Sequence, residues 1–124
     1  MSTAVRTPRN LGLAVAIGVT CCAAHAQTVP SARTAFGAGS TPCSKYADLY
    51  ATNEEAGGVK MVGSWAQGYL SATNDQRQRD GQSTLKSVDP EIITLFIYNF
   101  CQANPRRRVE AATLALIDDL SKPK

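Results

Sequence analysis

The side chains that could carry chemistry in this chain are few, and their spacing limits what they can do. Cysteines stand at 21, 22, 43 and 101, and the single histidine is His25. Two acidic pairs, Glu54-Glu55 and Asp118-Asp119, and a run of three arginines, Arg106-Arg107-Arg108, complete the inventory. Neighbouring carboxylates on a helix point about 100° apart, so Asp118 and Asp119 are expected not to share a site. Glu54-Glu55 fall in an expected connection. Neither pair offers the two facing carboxyls that acid–base hydrolysis needs. Ser64 and Ser71 have no base at hand, and no glycine-rich phosphate loop follows a strand. The chain reads as a non-enzyme without cofactor or metal.

The N-terminal segment removes more chemistry still. Arg6 and Arg9 precede an apolar run from Leu11 to Ala24, followed by Ala24-His25-Ala26 and Gln27. A basic start, an apolar stretch and an A-x-A site read as a signal peptide over residues 1–26, cleaved after Ala26 on export to the periplasm. At about 1.5 Å per residue the run spans about 21 Å, short of a ~30 Å hydrocarbon core, so no stable membrane anchor is expected. A retained anchor, or a lipid on Cys21 or Cys22, are the weaker alternatives. Cleavage takes the only histidine, and with it the commonest general base and metal ligand. It leaves 11 basic against 10 acidic side chains. A net charge near +1 disfavours nucleic-acid binding, which rests on many phosphate contacts. Cys43 and Cys101 are then the only cysteines. In an oxidising compartment they most simply form one disulfide, since a redox or metal pair would want C-x-x-C spacing or a histidine.

The remaining chain has helical periodicity. Residues 27–40 are small, polar and broken by Pro30, Gly37 and Gly39, which reads as a flexible lead with Phe36 its one docking side chain. Thr41 as N-cap and Pro42 at the first helical position start a helix with Cys43, Tyr46, Ala47 and Tyr50 inward. A second helix is expected from about Gly58 to Thr73, on the rhythm of Val62, Trp65, Ala66, Tyr69, Leu70 and Thr73. Gly63 and Gly68 within it are expected to admit a neighbouring helix, and 74–87 reads as a long solvated loop. Asp89-Pro90-Glu91 starts a third helix whose run IITLFIYNFC is apolar around most of its circumference, which implies a central, buried helix. Asn104-Pro105 ends it and begins a fourth, with Val109, Ala112, Thr113, Leu116, Ile117 and Leu120 inward. Residues 122–124 are a frayed tail. Four helices without a convincing strand predict a small all-α four-helix bundle over 41–121.

Within that bundle the arginine run falls in a helix's first turn. There each exposed cation opposes the dipole by a few tenths to about 1 kcal/mol. Either the arginines are solvated and partly matched by Glu110 and Asp89, or they serve an acidic partner. Trp65, Tyr69, Tyr98 and Phe100 recur at helical spacing, as core or as a partner surface.

Cys43, W-A-Q-G-Y-L at 65–70, Asn74, Asp89, F-C-Q-A-N-P at 100–105 and the final V-E-A-A-T-L-A-L-I-D-D-L at 109–120 together resemble the HdeA/HdeB-like family of small exported proteobacterial proteins. The resemblance covers roughly residues 41–121. It implies a short periplasmic helical bundle with a Cys43–Cys101 bridge. Its best-known members are acid-stress chaperones, dimers near neutral pH that lose order in acid and bind unfolding proteins. For this chain that implies unfolded clients, a homodimer, and a client or partner surface drawn from Trp65, Tyr69, Ile93, Phe96, Ile97, Phe100 and Arg106–Arg108. A second, looser resemblance is to the Rap1a/Tai-like immunity proteins of type VI secretion, through G-Y-x-x-x-x-N and the N-P helix break. It implies one specific protein partner, met by Arg106–Arg108 and the 74–87 segment.

Overall fold

The computed structural model describes residues 35–123, so the signal peptide, its cleavage site and the first part of the lead lie outside the described residues. Four helices follow a short 3-10 turn at Gly37–Ser40: α1 (Cys43–Thr52), α2 (Gly57–Arg79), α3 (Pro90–Ala103) and α4 (Val109–Ser121). The described residues form an all-α bundle, as the periodicity predicts. Its only extended pairing is one antiparallel bridge between Pro42 and Arg108. Tyr46, Val59, Val62, Ala66, Ile93, Ile97, Val109 and Leu116 make the core, and α3 packs on each of the other three helices.

The start of α1 differs from the sequence expectation. Pro42, not Thr41, is the N-cap, and no side chain caps the helix. The orphan donor is satisfied across the fold instead: Cys43 N–H donates to the Arg107 carbonyl (2.9 Å) and Val109 N–H to the Thr41 carbonyl (3.0 Å). The inward face of α1 is as read, with Cys43 and Tyr46 buried and Ala47 and Tyr50 half-buried.

Helix α2 runs six residues past the expected Thr73. Its stop is glycine chemistry further on. Gly81 has φ +69°, Gly81 N–H donates to the Gln78 carbonyl (3.1 Å), and Gln82 N–H donates to the Arg77 carbonyl (2.8 Å). These are the paired bonds of a Schellman cap, and Arg77 and Arg79 in the last turn complement the dipole. Residues 74–79 look aperiodic because an overhanging helix needs no continuous apolar face. The loop is thereby cut to 80–89. It is tethered by Leu85 N–H to Asn74 Oδ1 (2.8 Å), by Lys86 N–H to the Leu120 carbonyl (3.2 Å), and by burial of Leu85.

Three further expectations are corrected. The lead is not flexible to residue 40, because the 37–40 turn buries Ala38 and Gly39 against α2 and α4. Phe36 is 83% exposed and does not pack into the core of the described residues. Helix α4 begins at Val109, so Arg106 and Arg107 form the preceding turn with Arg108 as N-cap. Of Gly63 and Gly68, both expected to admit a neighbouring helix, Gly63 does so: a Cβ there would lie 2.9 Å from Thr94 Cγ2, whereas one at Gly68 would meet nothing within 4 Å. The contrast predicts opposite signs for one substitution. Gly63→Ala should lower unfolding free energy by about 1–3 kcal/mol through overpacking. Gly68→Ala should raise it by about 0.5–1 kcal/mol through helix propensity, both read from urea transitions.

Candidate functional site

The end of the bundle where α1 begins is held covalently and by hydrogen bonds. Cys43, the first residue of α1, is bonded to Cys101, in the last turn of α3, with Cα atoms 4.6 Å apart and both residues fully buried. The C-x-x-N-P sequence explains why α3 stops there. Asn104 donates from its backbone to the Cys101 carbonyl (3.3 Å) and from Nδ2 to the Phe100 carbonyl (2.9 Å). The Asn104 carbonyl then accepts Arg107 N–H (3.0 Å), which turns the chain so that the Arg107 carbonyl meets Cys43 N–H. A disulfide buried this completely is a brace.

Aromatic side chains extend that brace along α1 and α3. The Tyr46 hydroxyl donates to the Thr94 carbonyl (3.1 Å), and burial, helped by neighbouring Tyr50, pushes its pKa well above the ordinary phenol value. Tyr50 stacks on Tyr98 with centroids 4.4 Å apart and planes at 18°, and the Tyr98 hydroxyl accepts from Gln102 Nε2 (2.6 Å). Burial, followed by the Glu54 charge, raises the Tyr50 pKa as well.

The residues expected to form a client or partner surface do not lie together. Ile93 and Ile97 are 2% and 0% exposed and belong to the core. Phe96 and Phe100 are half-buried at its rim. Trp65 is half-buried and packed tilted on Tyr69 (5.2 Å), and Gly39 lies so close under its ring that any Cβ would overlap it. Arg106, Arg107 and Arg108 are exposed on the turn before α4. The expectation of a central, buried α3 holds for its position but not for its full burial: Ile92 is 50% exposed and Leu95 40%. These two were missed because the apolar run hides which side faces out. The signal was Asn99 and Gln102, exposed polar residues on the same side at helical spacing.

The charged groups are all superficial. Nine of the ten carboxylates are exposed, and Glu110 is half-buried. Asp118 and Asp119, expected to act apart, converge on one cation: Lys122 Nζ is 3.4 Å from the first and 3.3 Å from the second. A long lysine side chain spans the divergence that separates their helix positions. The expected pairing of the arginines with Glu110 or Asp89 does not occur among the described residues. Lys60 lies 2.8 Å from Glu55, and that hydrogen bond and charge hold the Glu55 carboxyl below its usual pKa. This pair therefore favours the fold above the carboxylate's unfolded pKa and is lost as pH falls through the lowered one. No group of His, Cys, Asp and Glu among the described residues is arranged to hold a metal ion, and no described helix is long and apolar enough to cross a membrane.

Two predictions follow from the braced end. Cys43→Ala with Cys101→Ala should lower unfolding free energy by about 2–5 kcal/mol, because the bridge spans 58 residues of chain. Tyr46→Phe should cost about 1 kcal/mol through the lost Thr94 bond, both measured by urea unfolding at pH 7. No protein-family model, curated protein or solved structure matches this chain.

Proposed function

We propose that the mature chain is a periplasmic, non-enzymatic protein that holds unfolding client proteins at low pH through the apolar face of α3. What carries this reading is the division of that helix. Ile92 and Leu95 are already exposed, Phe96 and Phe100 are half-buried, and Ile93 and Ile97 lie beneath. A partial loosening of α3 joins these into one apolar surface of the kind that captures unfolded chains. The disulfide limits how far the chain then expands. The resemblance to HdeA/HdeB-like proteins supports the same reading.

The drive to loosen is charge repulsion. With all ten carboxylates at or near the surface, acid neutralises them without any buried acid having to take up a proton. The mature charge then rises from about +1 to about +11 as every carboxylate protonates. Repulsion among exposed charges is screened by salt, with a Debye length of about 10 Å at 0.1 M and about 3 Å at 1 M. Acid loosening should therefore be broad in pH and reversed by salt. Fluorescence of Trp65, the only tryptophan, followed at pH 3 from low salt to about 0.5 M, should return toward its pH 7 signal. The decisive assay is light scattering of an aggregation-prone periplasmic protein at pH 3 and pH 7. Suppression at pH 3 only, with the disulfide intact, is expected. Absence of suppression at stoichiometric excess overturns the reading.

A further inference from the structure

The arginine turn plays no part in the α3 surface, and its construction calls for its own account. Arg106, Arg107 and Arg108 are consecutive, exposed and outside any helix. Their backbone is fixed on both sides: Arg107 N–H donates to the Asn104 carbonyl, its carbonyl accepts Cys43 N–H, and Arg108 pairs with Pro42. The disulfide lies immediately behind that joint, so the three side chains project from fixed positions. Among the described residues no carboxylate lies within ion-pairing distance of any of them, and residues 1–34 contain no acid at all. The cluster also precedes the positive end of the α4 dipole, where the first turn carries a single acid, Glu110, against three arginines.

We propose that this turn is a docking surface for an acidic segment of a folded partner protein. Guanidinium forks match carboxylates two bonds at a time, and holding them on a fixed turn reduces the ordering cost of binding. The rest of the molecule argues for a protein partner over an extended polyanion. Outside the patch the mature chain carries ten acids, Asp118, Asp119, Asp89 and Glu91 among them, against eight basic side chains, a net charge of about −2. A membrane or nucleic acid would meet repulsion beyond the patch, whereas a short acidic segment touches the patch alone.

This proposal is independent of the low-pH reading, since it concerns neutral pH and exposed side chains outside the apolar face of α3. The test uses the mature, disulfide-bonded chain at pH 7 and low salt, with a short oligo-L-glutamate peptide as the acidic probe and phosphatidylglycerol vesicles as the competing polyanion. The first variant carries Arg106→Gln, Arg107→Gln and Arg108→Gln. A charge-matched control carries Lys45→Gln, Lys60→Gln and Lys86→Gln. The expected result is oligo-L-glutamate binding that weakens about tenfold in the arginine variant and less than twofold in the control, as three exposed ion pairs allow. Equal loss in both variants, no measurable binding, or a preference for vesicles overturns the proposal. All substituted side chains are exposed, so circular dichroism of both variants should match the parent.

Discussion

One joint organises this bundle: the place where the start of α1, the end of α3 and the start of α4 are held within a few ångströms of one another. The Cys43–Cys101 bond supplies the covalent link, and the bonds from Cys43 N–H to Arg107 and from Val109 N–H to Thr41 close the same joint through the backbone. The starts of α1 and α4 both lack a side-chain cap, and each obtains a partner from a neighbouring segment, while Asn104 caps the end of α3. A helix end whose orphan groups are satisfied by another chain segment is stable only while that segment stays in place. The disulfide keeps it there. For a domain this small, a cross-link of several kcal/mol is comparable with the whole net stability.

Away from the joint the fold relies on close approach and a few polar tethers. Gly63 lets α2 come against Thr94 of α3, on the helix that Tyr46 also grips through the Thr94 carbonyl. The far ends of α2 and α4 are joined through the 80–89 segment by Asn74 and by the backbone bond from Lys86 to Leu120. No covalent link reinforces that end among the described residues, and its ion pairs are exposed. Stability is therefore uneven along the molecule, greatest at the disulfide and least where α2 overhangs.

The same unevenness separates two kinds of surface. The α3 face is apolar and mostly sequestered, so its use requires motion. The arginine turn is charged, exposed and fixed, so it is ready without motion. Their chemistry differs as well: apolar capture is nonselective, whereas guanidinium forks on a rigid frame discriminate by geometry. A single small domain carries both because the core needs only one side of α3 and only the backbone of the arginine turn.

The sequence by itself determined the helices and their inward faces. Periodicity placed Cys43, Tyr46, Val62, Ala66, Val109 and Leu116 correctly, because one side of a helix must bury what the other exposes. Local chemistry likewise placed the start of α3 at Asp89-Pro90, since a proline at the first helical position acts within its own turn. The end of α2 was also written locally, in Arg79-Asp80-Gly81, but the polar character of 74–79 concealed it. Other features depended on tertiary structure. Which side of IITLFIYNFC faces water is marked in the sequence only by Asn99 and Gln102, and it is set by where α1, α2 and α4 lie. That Gly63 is needed while Gly68 is free, that Gly39 underlies Trp65, and that the arginines precede α4 all follow from contacts between segments far apart in sequence. Periodicity reports burial within one element; the neighbour that covers each face is decided only when the elements meet.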